Sequence, residues 1–126
     1  MRVLLDTHFL IWIVLGSARL DAFPWLDEYA PWGVSPISLL EIQFLGEAGR
    51  VSVRNPRFSE AVARDPRFLV DEAPLVRLID HALPLAWTRD PFDRLLAAHS
   101  SARRVPLCTA DETLIARHEW IVEELR

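Results

Sequence analysis

The segment Arg2-Val3-Leu4-Leu5-Asp6-Thr7-His8 decides how the rest of the chain is read. Its apolar run is short, unbroken and closed by an aspartate, the pattern of a strand buried on both faces of a parallel sheet. Thr7 to Leu15 then predicts a helix, and a further helix is expected over about Ala22 to Ala30. Trp32-Gly33-Val34 reads as a second short strand. Ser35-Pro36 opens a helix, with serine as N-cap and proline at the first helical position, that runs to about Gly46 or Gly49. Arg50 to Asp71 is the least legible stretch, with helix expected near Ser59 to Arg64 and a strand near Phe68 to Val70. Pro74 to Leu83 reads as helical, and Asp90-Pro91 opens the next helix, through about Ala102. Val105 to Thr109 reads as a strand, Glu112 to Arg117 as a short helix, and Trp120 to Val122 as a final strand. The alternation predicts an α/β fold, a three-layer sandwich with a mostly parallel central sheet flanked by helices.

The chain has 126 residues, 51% of them apolar, enough for a single domain over 1–126 with one proper core. Its net charge of −4 argues against a protein that holds nucleic acid mainly by a broad basic surface. That charge does not exclude an enzyme handling phosphates through bound metal, because an empty acidic site is itself negative. All 14 basic residues are arginine. Coding bias is the simpler account of this, though the planar guanidinium suits phosphate and carboxylate partners whatever its origin. Cys108, the one cysteine, forms no intrachain disulfide, and no zinc-binding spacing is present, which together point to the cytoplasm. Arg2 followed by the apolar run Phe9 to Leu15 has the order of a secretory signal. Asp6, His8 and the strand before them speak against it. Nothing approaches the roughly twenty apolar residues that a membrane crossing needs. The five tryptophans and six phenylalanines are many for this length. Core packing takes most of them, and aromatic residues are also enriched at interfaces.

In open α/β sheets ligands bind beyond the carboxyl ends of the strands. Asp6 ends the first strand and Asp111 follows a late one, so both fall at that edge. An aspartate after a strand is equally a good helix N-cap, and for each of these two the readings balance. Glu41 is more informative. Ile37, Leu40, Glu41, Phe44, Leu45 and Ala48 form one stripe at helical spacing, in which Glu41 is the single charge. A carboxylate buried there must protonate or find a cation, and no cationic residue lies within a turn of it. The alternatives are an arginine from elsewhere or an edge position open to water. Asp93 follows Asp90 by three residues, the spacing of a capping box, and that pattern taken alone favours a cap. His99, in the stripe Phe92, Leu95, Leu96 and His99, reads as a core or edge histidine. Hard divalent ions take oxygen ligands, so three or four convergent carboxylates suit one Mg²⁺ or Mn²⁺, or two such ions.

These residues carry a resemblance. Leu4-Leu5-Asp6-Thr7-His8, Ser35 to Glu41, Arg89-Asp90-Pro91-Phe92-Asp93-Arg94-Leu95-Leu96-Ala97-Ala98 and Thr109-Ala110-Asp111 together resemble the PIN-domain family. Within it they are most similar to the VapC branch, the toxins of type II toxin–antitoxin modules. The resemblance spans nearly the whole chain in the family's motif order, and Asp-Pro-Phe-Asp-Arg-Leu-Leu is its most specific piece. It implies an α/β sandwich, a divalent-metal site (Mg²⁺ or Mn²⁺), endoribonuclease activity on RNA, a homodimer, and inhibition by a cognate antitoxin protein. Carried over residue by residue, it implies an acidic site of Asp6, Glu41, Asp93 and Asp111, and it turns Asp93 from cap to ligand with Asp90 as the capper. Thr109 would support the strand end. The implied mechanism is hydrolysis in which the ion lowers the pKa of a water and offsets phosphate charge. His99 stands where many relatives have glutamine, and Arg50 to Asp71 matches poorly. Arg89 and Arg94 stay outside the catalytic set, because Asp90 and Arg94 have the spacing of a helical ion pair.

Other readings meet specific obstacles. An aspartyl-phosphate phosphotransferase of the haloacid dehalogenase type resembles its relatives in an Asp-x-Asp motif, whose third position here is His8. A receiver-like phosphoacceptor needs a lysine that the chain lacks. No glycine-rich phosphate loop is present. A PIN-like domain serving only as a binding module would not need all four acidic positions filled, and an RNA-processing nuclease outside a toxin–antitoxin system is the alternative within the same chemistry.

Overall fold

Four short parallel strands form the central sheet: β1 (Leu4–Leu5), β2 (Trp32–Val34), β3 (Phe68–Val70) and β4 (Leu107–Cys108), in the spatial order β3-β2-β1-β4. In this computed structural model, which describes Met1 to Arg126, Leu4 pairs with Gly33 on one side and Leu107 on the other. Strand β2 continues the sheet, Trp32 to Val34 lying against Phe68 to Val70. A central strand buried on both faces explains the unbroken apolar run of β1. Side chains alternate along it. Leu4 joins Ala97, Leu107, Leu114 and Ile121, whereas Val3 and Leu5 join Phe9, Leu10, Trp32, Ile42 and Phe58. The sheet therefore separates two apolar layers, and the helices close them from outside.

Six α-helices do so: α1 (Thr7–Leu15), α2 (Pro36–Glu47), α3 (Arg57–Arg64), α4 (Leu75–Ala82), α5 (Pro91–Arg103) and α6 (Glu112–Arg117). Helices α1, α2 and α3 cover the larger core, and α5 and α6 the smaller. Helix α5 also packs against α4 and α2. Polar side chains start the principal helices as the sequence suggests. Asp6 caps α1, Ser35 caps α2 ahead of Pro36, Asp90 caps α5 ahead of Pro91, and Asp111 caps α6. Every strand thus delivers the chain at the same edge of the sheet.

Three expectations need correction. Ala22 to Ala30 is not an α-helix; 3₁₀ turns cover Ala18–Ala22 and Leu26–Tyr29 on either side of Pro24, whose ring and missing N–H break a continuous helix. The last strand is reduced to one bridge between Ile121 and Leu107. The stripe drawn on α2 is not its core face. Ser38, beside Thr7 of α1, and Ile42, in the larger core, are buried, while Leu40 and Phe44 are each 52% exposed. Apolar residues lie on every side of α2 and one of its two buried positions is a serine, so periodicity did not single out the buried side.

Candidate active site

Four elements bring carboxylates to the carboxyl edge of the sheet. Asp6, Glu41, Asp93 and Asp111, with the capper Asp90, line one cavity of about 500 Å³. Asp6 is nearly fully buried. Its Oδ1 accepts from the Phe9 N–H at 3.0 Å, and its Oδ2 accepts from the Thr109 hydroxyl at 2.5 Å. Thr109 Oγ1 also accepts from the Asp111 N–H at 3.0 Å, so one hydroxyl ties together the ends of β1 and β4. Asp111 caps α6 through Oδ1, which accepts from the Leu114 N–H at 2.9 Å. For Asp6 and Asp111, capping a helix and facing the cavity are compatible, because one side chain does both.

Glu41 projects from α2 and accepts a hydrogen bond from the Thr7 hydroxyl, whose oxygen also lies 3.1 Å from Ser38 Oγ. Asp90 accepts from the N–H groups of Phe92 and Asp93, at 2.8 and 3.2 Å. Asp93 does not return to the Asp90 N–H, which is directed at Thr88 Oγ1, so the reciprocal half of a capping box is missing. The capping reading of Asp93 is thereby withdrawn, and its carboxylate faces the other acids.

Electrostatics follow from that crowding. Burial, and then repulsion from Asp90, Asp111, Glu41 and Asp6, push the Asp93 carboxyl up to about 7. Burial also raises Asp6, against hydrogen bonds from Phe9 and Thr109. It raises Glu41, where the Thr7 hydrogen bond and His8 oppose burial and the charges of Asp90 and Asp6 reinforce it. Charged forms are disfavoured at three of the four positions, as expected of acids that lack a counter-cation. The set consists of hard oxygen donors, which suits Mg²⁺ or Mn²⁺ in charge and ligand type. No three of these side chains already converge closely enough to hold an ion. Their fit to a metal is one of charge and donor chemistry.

A model of the PIN domain matches residues 3–119. The chain belongs to the PIN-domain family. Two solved structures share the PIN-domain fold of this chain. One is a toxin–antitoxin complex from Klebsiella pneumoniae, with TM-score 0.64 and 18% identity, covering 95% of each chain. The other is VapBC2 from Rickettsia felis bound to a DNA fragment from their promoter, with TM-score 0.65 and 16% identity, covering 97% of this chain and 96% of that one. No curated protein sequence matches.

Several residues of this PIN domain were not among the expected site residues. His8, Trp12, Arg19 and Arg50 all line the cavity. Arg50 falls in the stretch that reads worst, and Arg19 in a segment without periodicity, so neither carried a signal. Arg94 makes no helical ion pair with Asp90. Its guanidinium donates to the carbonyls of Ala82 and Leu83, both at 2.8 Å, and so satisfies the end of α4. His99 is fully buried, with Nδ1 2.8 Å from Ser35 Oγ and Nε2 2.7 Å from Asp71 Oδ2. Arg103 also binds Asp71, at 2.8 Å. Histidine at this position therefore links the cap of α2, which carries Glu41, to α5, which carries Asp93.

Proposed function

We propose that this PIN domain, a single domain over residues 1–126, is a divalent-metal-dependent endoribonuclease hydrolysing RNA phosphodiesters, and the toxin of a VapC-type toxin–antitoxin pair. The observation that carries the reading is Asp93, a carboxylate without a hydrogen-bond donor that faces three others and is pushed up to about 7. A cation relieves that repulsion, and an all-oxygen donor set selects a hard divalent one. Such an ion, when bound, supplies Lewis-acid polarisation of a phosphodiester and lowers the pKa of a water. Asp6, Glu41 and Asp93 are the main ligands in this reading, with Asp111 in support. Thr109 holds Asp6 in place and fixes the backbone of Asp111. Thr7 restrains Glu41, and the Asp90 cap fixes the helical turn from which Asp93 projects. Contacts of this kind orient ligands before the ion arrives.

The assignment to a toxin is supported by fold, since both structural relatives are toxin–antitoxin assemblies. An antitoxin protein is accordingly the expected partner. No helix is long and apolar enough to cross a membrane, and the cytoplasm is the expected compartment. A homodimer is supported by exposed apolar side chains, Leu40 and Phe44 on α2, Leu75, Val76 and Ile79 on α4, and Leu83 just after α4. Both helices pack on α5, and Phe44 meets Phe92 at 5.5 Å between ring centroids. Exposed apolar side chains that gather in a patch mark interaction sites.

The test is cleavage of cellular RNA by the purified protein with Mg²⁺ or Mn²⁺, with and without chelator. Cleavage that stops in EDTA is expected, together with growth arrest on expression that a neighbouring antitoxin gene relieves. Equal cleavage in EDTA would overturn the metal mechanism. Harmless expression in the native host would overturn the toxin assignment and leave an RNA-processing nuclease.

A further inference from the structure

The cavity has two chemically distinct ends. One wall is the face of α1 that carries His8, Ile11 and Trp12, at helical spacing, and the other is the face of α2 that carries Glu41 and Leu45. From His8 to the end of α1 is about 10 Å at about 1.5 Å per residue. Asp6 caps the start of α1 and Glu41 lies in the second turn of α2, whereas Arg19 and Arg50 follow the ends of the two helices.

Both arginines are placed by the way their helices stop. Gly16 and Gly49 adopt left-handed φ values of 63° and 71°, which favour glycine. After Gly16 the Ser17 N–H reaches the Trp12 carbonyl at 2.9 Å, and after Gly49 the Arg50 N–H reaches the Leu45 carbonyl at 2.9 Å. This bonding pattern closes each helix with a fixed exit direction. Ser17 Oγ then accepts from the Arg19 N–H at 3.2 Å, and the Arg19 guanidinium lies 5.5 Å from the centre of the Trp12 ring.

Neither guanidinium joins an ion pair, although five acids line the same cavity. The main influences on Asp6, Glu41 and Asp93 include no arginine. Arg19 and Arg50 are therefore held apart from the acids with their charge unpaired. We propose that they form the phosphate-binding end of this groove and grip the backbone of a single-stranded RNA beside the bond that is cut. The inference rests on the nuclease reading above. A cavity of about 500 Å³ accommodates a nucleotide or so, and an unpaired strand can place one there without the opening of a duplex.

The experiment compares Arg19→Ala and Arg50→Ala with Arg64→Ala, an exposed α3 residue outside the cavity, and with Arg50→Lys. Cleavage kinetics are measured with Mn²⁺ on a cellular RNA that the parent protein cuts. Binding of a randomised, fluorescein-labelled single-stranded RNA pool is followed by anisotropy in the Asp93→Asn background, across about 50–200 mM salt. Expected for each alanine variant is a rise in KM of about tenfold with little change in kcat, matched in the binding constant. The salt slope should fall by about 0.7 for each phosphate that is no longer neutralised. Arg64→Ala should change nothing, and Arg50→Lys should recover part of the loss. Unchanged KM, affinity and slope in a protein that cleaves RNA would overturn the proposal and leave the nuclease reading standing. Weakened antitoxin binding with unchanged RNA affinity would also overturn it, assigning the arginines to an acidic protein segment. RNA binding that needs both arginines in a parent protein that never cleaves would uphold the groove and overturn the nuclease reading.

Discussion

Replacing Asp93 with asparagine separates the metal reading from a structural one, because the two predict opposite signs for stability. The folded protein holds this carboxyl near 7 against an ordinary value of 3.8, through burial first and the surrounding acids second. A raised carboxyl favours the folded state least when it is ionised, so its cost to stability begins as pH rises past 3.8 and is complete above about 7. The gap corresponds, at 1.36 kcal/mol per pKa unit, to a ceiling of about 4 kcal/mol. Partial exposure and salt screening bring the expected value down to about 1–2 kcal/mol. Asparagine is nearly isosteric with aspartate and carries no charge. At pH 8 in chelator, D93N should therefore melt about 3–8 °C above the parent, and the difference should shrink steadily towards pH 4. Mn²⁺ should reverse the order, since an ion that binds only the folded parent stabilises it in proportion to its occupancy, and a neutral amide is a poor ligand. The assay is thermal melting across pH, with and without Mn²⁺, beside RNA cleavage. If D93N melts no higher than the parent at pH 8 in chelator, or gains as much from Mn²⁺, the reasoning fails.

Asp90→Ala should act differently, costing about 0.5–2 kcal/mol through the lost α5 cap while a Mn²⁺-dependent rise in melting temperature survives. An inactive but stable D90A beside a normally active D93N would reverse the two roles. His118 is buried with Nε2 2.9 Å from Ser100 Oγ, and burial lowers it to about 4. Its contribution is complete above the unfolded value of about 6.5 and is lost as pH falls to about 4, costing at most about 3 kcal/mol. His118→Gln should flatten that part of the stability profile, and an unaltered acid limb in melting curves would refute it. On the apolar face, Val76→Glu with Leu83→Glu should yield monomers in light scattering with the fold intact, because both side chains are exposed. A dimer persisting in the double variant would place the interface elsewhere.

The fold was legible where local chemistry and burial agree. The run ending at Asp6 is apolar because β1 is covered on both faces, and Ser35-Pro36 and Asp90-Pro91 mark helix starts because capping and proline geometry act within a few residues. Pro24 carried equally local information, yet the expected helix over Ala22 to Ala30 ran through it. The α2 face was hidden for another reason. When apolar residues lie on every side of a helix, the side that packs is chosen by tertiary contacts, and the remainder stays on the surface. Ile42 went inward and Leu40 and Phe44 outward, a difference that lies in tertiary packing and not in period.

For the site, the resemblance to the PIN-domain family supplied the four acids, and the chain's own hydrogen bonds explain why local pattern could not rank them. Asp6, Asp90 and Asp111 each cap a helix, so capping identifies all three equally and cannot tell a ligand from a cap. What distinguishes Asp93 is that its side chain meets no donor and that its pKa is raised by burial and by acids of which three, Asp111, Glu41 and Asp6, come from distant parts of the chain. That is a long-range property, invisible in any window of residues. The same limit hid Arg19 and Arg50, which are brought to one groove by two helix terminators more than thirty residues apart. Local rules fix where each helix starts and stops. The sheet, by setting α1 and α2 side by side from a common edge, turns those stops into the far end of a binding groove. A glycine that reads only as the end of a helix therefore has a second consequence. Gly49→Ala should cost stability because alanine is strained at φ 71°, and it should also raise KM for RNA by displacing Arg50. Lost stability with an unchanged KM would show that the terminator does not set the position of the arginine.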